Sequence, residues 1–460
     1  MSQVSQVAVE PRLAVEFDKA FEFLQSLIDL EQINQMYPLR NNAVYTNSVV
    51  LWMLVSQRLN PDSSLEAAVK EMIDVCPDLL PANKRVIERT LSTATGSYSR
   101  ARKRLPLQAA RDFARQVSKS LVEATPPTWG ERRVFHIDGT TITLAPETAL
   151  QRAFPPASNQ HGEGVWPVAL LVVAHELASG AALLPEVGPM YGDHAISETA
   201  LVGGCLSQMP ASSLVIADAG YGIFAVAHEI AQAKHDFLLR MTKARFTAMK
   251  RTASPVKSSE NWQTWSLSWE PSKQDRKAHP DLPQDSSLEV LLHEVTISEH
   301  LTLLLTTSLK EDALSVAALY KYRTDVEIDI RNVKVVLDTE NIRAKSVEMF
   351  QKELLTSMVS YNLVVQFRRQ AAELADVPPR RLSFKRTWTT YRVFLSSSMY
   401  TESSAWRLRY EKALTYAMRD KLPNRPDRRF EREVYPRRPK SNQFKKRIRK
   451  KTGARNPDLK

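Results

Sequence analysis

The chain has 460 residues, of which 43% are apolar and 25% charged, a composition typical of a soluble globular protein. Its length predicts two to four domains. The two cysteines, Cys76 and Cys205, stand alone without metal-ligand spacing, which excludes a disulfide framework and a zinc site and fits a reducing cytoplasm. Residues 1–12 lack the features of a signal peptide, and no stretch of about 18 uninterrupted apolar residues predicts a membrane segment.

The net charge of +12 is concentrated at the carboxyl end of the chain. Residues 421–460 contain sixteen Lys or Arg and four Asp or Glu, so the other residues sum to about zero. A basic tail on a neutral body is typical of proteins that bind a polyanion, most often nucleic acid. A tail that only improves solubility is the alternative.

The first part of the chain, residues 1–128, has the apolar spacing of helices, most clearly at 44–58 and 64–73. Many Lys and Arg residues surround the turn at 95–97. We therefore predict a helical N-terminal domain that contacts DNA. Charged residues that serve solubility alone would give the same pattern.

A different pattern begins near residue 129 and predicts an α/β domain built from 129–241 and 312–372. Two β-rich runs are predicted at 134–139 and 140–144, around Asp138-Gly139. Further strands are predicted at 166–175, 214–217 and 237–241, and helices at 194–209 and 223–233. Short strands at 262–269, 288–297 and 301–307 predict that residues 242–311 form a β-rich insertion. Helices follow in 373–420, and 421–460 is the basic tail. The order of elements indicates a mixed sheet with flanking helices.

Three carboxylates stand at informative positions in this pattern. Asp138 and Asp218 each close an apolar strand, and Glu327 lies on the helix that follows the insertion. Side chains at strand ends converge at one edge of an α/β sheet. Three carboxylates without His or Cys favour Mg²⁺ or Mn²⁺, and a pair of such ions catalyses in-line attack on phosphorus. Alternatively, Asp138 is a residue of an Asp-Gly hairpin turn and Asp218 a cap.

The helix at 320–334 carries a polar stripe. At about 100° per residue, four polar residues fall within a fan of about 60°: Tyr320, Arg323, Glu327 and Lys334. Arg331 lies beside them. Apolar residues flank the stripe on both sides, among them Val326 and Ile328, which predicts a polar ridge that runs into a cleft.

The spacing Tyr320-x2-Arg323-x3-Glu327-x6-Lys334 resembles the signature of the bacterial insertion-sequence DDE transposases of family four. Residues 136–140 resemble that family's strand with the first Asp, and residues 214–221 its strand with the second Asp. The β-rich segment between Asp218 and Glu327 is similar to the family's insertion. Residues 42–72 and 97–106 resemble the N-terminal module of one subgroup. The likeness covers most of residues 20–370.

The resemblance implies an RNase H-like mixed sheet with flanking helices, interrupted by the insertion, with helical N- and C-terminal regions. It implies that Asp138, Asp218 and Glu327 hold two Mg²⁺ or Mn²⁺ ions. Arg323, Arg331 and Lys334 would contact DNA phosphates, and Tyr320 would hydrogen-bond or pack on the same strand.

The activity implied is metal-dependent cleavage at the ends of an insertion sequence, followed by strand transfer into target DNA. The substrate is double-stranded DNA, both the terminal inverted repeats and the target. The enzyme works as a homodimer in the DNA complex, in the bacterial cytoplasm at the nucleoid, without a membrane partner.

Two other functions fit the same residues: an RNase H-like nuclease that does not join DNA, and a non-catalytic DNA-binding protein derived from a transposase. Some members of the family form a DNA hairpin with the help of a Trp before the Leu-Leu-Leu-Thr strand of the insertion, where this chain has Thr302. Trp262, Trp265 or Trp269 could stack on a base instead. Alternatively, these tryptophans cover the small core of the insertion.

Overall fold

The computed structural model describes residues 11–40, 42–60, 62, 64–75, 79–159, 162–336, 342, 344–398 and 403–423. Cys76 and nearly all of the basic tail lie outside these residues. The chain divides into one compact unit, Met1–Lys421, and a second unit, Leu422–Lys460. All of the elements described below lie in the first unit.

A single mixed sheet forms the centre of the first unit. The strands found in the described residues are β1 (Val134–Thr143), β2 (Pro156–Asn159), β3 (Gly162–Glu176), β4 (Glu186–Pro189), β5 (Leu214–Ala217), β6 (Asp236–Arg240), β7 (Ser254–Ser259), β8 (Trp262–Trp269), β9 (Leu288–Ser298) and β10 (Leu301–Thr307). Their order across the sheet is β2-β3-β1-β5-β6-β10-β9-β8-β7, and β4 also pairs with β3. β1, β5 and β6 run parallel, and the other pairs are antiparallel.

Both faces of the central strands are covered, which explains their nearly continuous apolar sequences. Leu214 and Ile216 of β5 point to one face, where they pack near a helix at Ala313–Tyr320. Val215 and Ala217 point to the opposite face and join the main core. Alternate side chains of a strand therefore feed two separate cores, as the pleat requires.

Helices surround the sheet. They are α1 (Pro11–Ile28), α2 (Glu31–Met36), α3 (Asn47–Leu59), α4 (Leu65–Lys70), α5 (Lys84–Ile87), α6 (Gly96–Arg104), α7 (Leu107–Glu123), α8 (Thr148–Ala153), α9 (Val202–Leu206), α10 (Phe224–Gln232), α11 (Lys243–Lys250), α12 (Lys273–Ala278), α13 (Ala313–Tyr320), α14 (Thr324–Arg331), α15 (Val347–Leu374), α16 (Phe384–Ser398) and α17 (Ser403–Ala417). α15 is buried on nearly all sides because it packs against α3, α7, α16 and α17.

The predicted α/β fold class is confirmed: a mixed sheet is flanked by helices and continued by a β-rich segment. The strands of that segment extend the central sheet, because β10 pairs with β6 through Leu305 and Arg240. The long helix predicted at 194–209 is wrong. Only a 3-10 turn at Glu198–Leu201 and the short α9 are helical, because Ile196 is used in packing against Gly188 of β4.

Candidate active site

Asp138 and Asp218 lie side by side on neighbouring parallel strands. β1 and β5 pair with Phe135 opposite Val215 and His136 opposite Ile216. Asp218 directly follows β5, and its charge acts on the carboxyl group of Asp138. Asp138 lies in the middle of β1, not at a strand end as predicted, because β1 continues along β3 as far as Thr143. The hairpin interpretation of Asp138-Gly139 is therefore wrong, and both carboxylates reach the same edge of the sheet.

The electrostatic environment of Asp138 disfavours its charged form. Burial is the main cause that raises the pKa of Asp138 to about 6, and the nearby charges of Asp218 and Glu198 act in the same direction. A hydrogen bond from the Gly139 amide to Oδ1, at 2.9 Å, and the charge of Arg323 act in the opposite direction. Closely spaced carboxylates that repel one another are typical of sites that take a cation.

The loop after β5 fixes Asp218. The Gly220 amide donates to Asp218 Oδ1 at 2.8 Å. Arg245 of α11 donates through Nη1 to the carbonyls of Ala219 at 3.0 Å and Gly222 at 3.2 Å. A Cβ at Gly222 would lie 2.3 Å from the Arg240 carbonyl oxygen, so only glycine fits where the loop passes the end of β6.

The segment with the polar stripe is helical throughout but not uniform. The Asp312 side chain caps α13 by accepting from the Leu314 and Ser315 amides at 3.0 and 3.1 Å. A 3-10 turn at Lys321–Arg323 separates α13 from α14, and a π turn at Asn332–Val336 follows α14. A constant 100° per residue is therefore wrong for this segment, because these turns wind more tightly and more loosely than an α-helix.

Arg323 joins the helix to the sheet. Its guanidinium contacts the Glu327 carboxylate one turn further along, and Nη1 lies 3.7 Å from Asp138 Oδ2. The Arg323 side chain is 17% exposed and that of Glu327 is 57% exposed. Glu327 is thereby placed on the side of α14 that is open to solvent, within reach of the same arginine as Asp138.

The other residues of the stripe have different environments. Tyr320 is 5% exposed, and burial raises its pKa to about 12 against the charges of Arg323 and Arg240. Lys334 is half-buried in the π turn, and Arg331 is exposed. The two flanks of the stripe differ at the residues described: Val326 is fully buried, whereas Ile328 is 55% exposed. The predicted apolar border on the second side is therefore wrong at Ile328.

Glu198 also faces the two aspartates, although the motif does not include it. Its carboxylate lies against Gly139, where an added Cβ would be 2.2 Å from Glu198 Cδ. It accepts a hydrogen bond from the Tyr221 hydroxyl at 3.1 Å. Burial, followed by the charges of Glu198, Asp138 and Asp218, raises the pKa of Tyr221. From the sequence, Glu198 is either a residue that supports the site or a solvated helix residue, and the structure places it against the site through the 3-10 turn before α9.

The chemistry of these side chains fits a hard divalent cation, since every candidate ligand is a carboxylate oxygen. The two aspartates are adjacent, and their mutual repulsion would be relieved by a cation. In the described part of the chain, however, no three acidic, His or Cys side chains already converge as a metal site. Glu327 contacts Arg323 instead, so a cation shared by all three acids requires that contact to open.

The tryptophans of the insertion are largely turned inward. Trp265 and Trp269 are 8% and 7% exposed. Trp269 packs edge-on against Phe224, and Trp265 against Phe246. Trp262 is half-buried, with Lys257 Nζ 5.8 Å from its ring centre. Trp265 and Trp269 are therefore core residues, but they belong to the main core of the protein and not to a separate small core of the insertion as the alternative expected.

Comparison with known proteins identifies the class to which this fold and site belong. Residues 129–363, just over half of the chain, match the family described as the transposase DDE domain. The chain therefore belongs to the DDE transposases. The matched residues include Asp138, Asp218 and Glu327.

Individual relatives agree with this class. The chain is 23% identical over 414 residues to the transposase InsG for insertion sequence element IS4 of Escherichia coli (strain K12), and the alignment covers 86% of this chain and 88% of the relative. Together with the family match, this places the chain among the transposases of insertion-sequence family four, as predicted.

Among solved structures, the match to a cryo-EM structure of the piggyBac transposase synaptic complex with hairpin DNA covers 90% of this chain and 87% of that chain. Its TM-score is 0.39 and its sequence identity 10%, which is a weak likeness.

None of the helices in the described ranges has the length and apolar character needed to cross a membrane.

Proposed function

We propose that this transposase cleaves DNA at the ends of an insertion sequence and joins the ends to target DNA by a DDE mechanism. One observation carries the proposal: Asp138 of β1 and Asp218, which directly follows the neighbouring parallel strand β5, interact through their charges, and Arg323 contacts both Asp138 and Glu327. These are the residues at which the chain matches the signature of its family. The substrate would be double-stranded DNA, both terminal inverted repeats and target.

In this proposal Asp138, Asp218 and Glu327 hold two Mg²⁺ or Mn²⁺ ions. When bound, such ions activate a water or a 3′-hydroxyl and stabilise the leaving oxygen. Asp138 must lose its proton to act as a ligand, and because its pKa is about 6, its affinity for a cation falls as the pH falls through this value.

Arg323 exchanges partners in this scheme. Its planar guanidinium can grip a phosphate through two parallel hydrogen bonds, so a DNA phosphate can replace the two carboxylates it contacts now. Glu327 is then released toward the aspartates. Lys334 and Arg331 provide further positive charge on the same segment. The buried side chain of Tyr320 would help to hold Arg323 in place.

DNA contacts outside the catalytic residues are proposed for the N-terminal helices and the tail. Some basic residues there are already engaged: Arg102 pairs with Glu353, and Arg104 donates to the Tyr45 carbonyl at 2.8 Å. Other basic residues there are exposed, among them Arg85, Arg89, Arg100 and Lys103. We propose residues 1–128 as a DNA-binding region, 129–241 with 312–372 as the catalytic region, and a homodimer acting at the nucleoid, in the cytoplasm.

The proposal is tested with a supercoiled plasmid that carries the cognate terminal repeats, incubated with the protein and Mg²⁺. Excision of the element is expected with the wild type and is expected to disappear in Asp138→Ala, Asp218→Ala and Glu327→Ala. Asp281→Ala is the matched control. It removes an exposed acid in the segment between α12 and β9, and this variant should excise the element normally.

Wild-type excision by all three variants would show that the acids are wrongly assigned. Hydrolysed ends without joined products would instead identify a nuclease. DNA binding without metal-dependent cleavage in the wild type would identify a non-catalytic DNA-binding protein.

A further inference from the structure

A buried cluster of charges lies beneath α14, on the side away from Glu327. Asp325 and Asp329 are one turn apart, and each stands two residues from Glu327, about 200° around the helix. The Asp329 side chain is fully buried and that of Asp325 is 20% exposed, whereas Glu327 is 57% exposed. α14 therefore has a charged face fixed inside the protein and an opposite face turned to the site.

Arg380 binds both of these aspartates. Its Nη1 and Nη2 donate to the two carboxylate oxygens of Asp329 at 2.9 and 2.7 Å. Its Nε lies 3.3 Å from Asp325 Oδ2 and donates to the Leu177 carbonyl at 3.2 Å. A planar guanidinium held along two edges has a defined orientation. We call Asp325, Asp329 and Arg380 the α14 anchor.

The anchor rests on the turn that follows β3. Tyr361 donates to the Gly180 carbonyl at 2.8 Å, and Arg368 Nη2 donates to the Ser179 carbonyl at 2.9 Å, both from α15. Gly180 has φ of +81°, and a Cβ there would lie 3.2 Å from Asp329 Oδ1. The turn thus allows the carboxylate to approach closely, and α15 holds the turn in place.

The rotation of α14 is fixed by the burial of Val326 and Ile330 and by the anchor, and the helix itself adds little. It has eight residues, fewer than an isolated helix needs for stability, and it is bounded by a 3-10 turn and a π turn. A rotation by one residue position, about 100°, would carry Glu327 away from the aspartates. The bidentate contact between Arg380 and Asp329 opposes such a rotation directly.

We propose that Arg380 is a positioning residue, which sets the orientation of α14 and so presents Glu327 and Arg323 to the two aspartates. The proposal rests on the proposed function, because it assumes that Glu327 acts at the site. Arg380 lies beyond α15, in the connection to α16. The C-terminal helical region would therefore contribute to catalysis through this one side chain.

The experiment compares Arg380→Gln with Arg380→Lys and the wild type in three measurements. Amide hydrogen exchange of residues 324–331 should become faster in Arg380→Gln while that of β1 and β5 is unchanged. The Mg²⁺ concentration for half-maximal cleavage should rise about 10- to 100-fold. Binding of terminal-repeat DNA in EDTA should weaken by a much smaller factor, because the DNA contacts proposed for the N-terminal helices and the tail do not depend on α14. Arg380→Lys, which keeps the charge, should recover part of both changes.

Arg132→Gln is the matched control. Arg132 also bridges two acids, Asp236 at 2.8 Å and Glu311 at 3.0 Å, but at the opposite edge of the sheet, where the parallel strands begin. It should leave the Mg²⁺ requirement unchanged. If Arg380→Gln does not fold, the double variant Arg380→Gln/Asp329→Asn removes the buried charge as well and is measured in its place.

Wild-type exchange in residues 324–331 together with a wild-type Mg²⁺ requirement, in a folded variant, would overturn the proposal. A wild-type protein that never cleaves DNA would refute the proposed function instead. The exchange measurement, which needs neither DNA nor metal, would still decide whether Arg380 holds α14.

Discussion

The carboxyl group of Asp138 holds its proton more strongly in the folded chain than in the unfolded chain. It lies in a largely buried strand beside Asp218 and Glu198, and its pKa rises from the ordinary value of 3.8 to about 6. Between these pH values the folded chain binds a proton that the unfolded chain has lost. Stability therefore falls as the pH rises from 3.8 to 6 and stays low above it. The charge that a cation needs is thus unfavourable to the fold.

Asp138→Asn should consequently stabilise the chain without metal, although it abolishes the proposed cleavage. We expect a gain of about 1–3 kcal/mol at pH 8, about 1 kcal/mol or less at pH 4.5, and a plateau above pH 7. Urea unfolding in EDTA at a series of pH values measures this. Asp281→Asn is the control, and a gain that is equal at pH 4.5 and 8 would contradict the explanation.

His136, two residues earlier on β1, changes stability with pH in the opposite direction. Burial, then the charge of Arg380, lowers the pKa of His136 to about 3. The unfolded chain therefore takes up a proton as the pH falls below about 6.5, while the folded chain does not, and stability is lost. For this reason the effect of Asp138→Asn must be read as the difference from the wild type at each pH.

At the scale of elements, the β-rich segment is tied to the catalytic region by its tryptophans. Trp269 of β8 packs against Phe224 of α10, with ring centres 5.4 Å apart and planes at 90°. Trp265 packs against Phe246, and Lys250 Nζ lies 3.9 Å from its ring centre. The segment thus shares the main core of the sheet, which predicts that it unfolds together with it.

Trp269→Ala should cost about 3–5 kcal/mol in the free energy of unfolding, because it removes a large buried ring. Trp166→Ala is the matched control. Trp166 is 57% exposed, so its loss should change stability by no more than about 0.5 kcal/mol. Urea unfolding followed by circular dichroism measures both. Equal losses for the two variants would contradict the assigned burial of Trp269.

Elements were predictable where a local pattern determines them. β5, β8 and β10 occupy the predicted residues, because each is a short apolar or alternating run between turn residues. The interruption of the helix near Arg323 was not predictable, since a 3-10 turn leaves no mark on apolar spacing. The α14 anchor was not predictable from the sequence either, because Arg380 and Asp329 are far apart in the chain and only the fold brings them into contact.

On the scale of the whole molecule, the N-terminal helices are bound to α15 by buried ion pairs. Glu353 contacts both Arg58 of α3, at 2.9 Å, and Arg102 of α6. The side chain of Lys352 is 1% exposed and donates to the carbonyls of Arg102 and Lys103 at 3.3 Å. These contacts link the proposed DNA-binding helices to the helix that supports the α14 anchor.

We expect the tail to bind DNA through its positive charge. A chain that ends at Pro423 loses all but one of the sixteen basic residues of 421–460. Its affinity for DNA should depend less steeply on salt, with a logarithmic slope that is smaller by about 0.9 for each phosphate that the tail would neutralise. A chain with Gln in place of the tail's Lys and Arg is the control and should behave like the truncation. An unchanged slope would show that the tail does not bind DNA.

The outer strand β7 has a consequence for assembly. A sheet this wide ends in unpaired backbone groups that can recruit a strand from another chain. All six residues of β7 are exposed, and two of them, Pro255 and Lys257, are of the kinds that hinder such pairing. Proline offers no amide hydrogen, and lysine resists burial between chains. Both residues therefore disfavour the addition of a strand from another chain at this edge of the sheet.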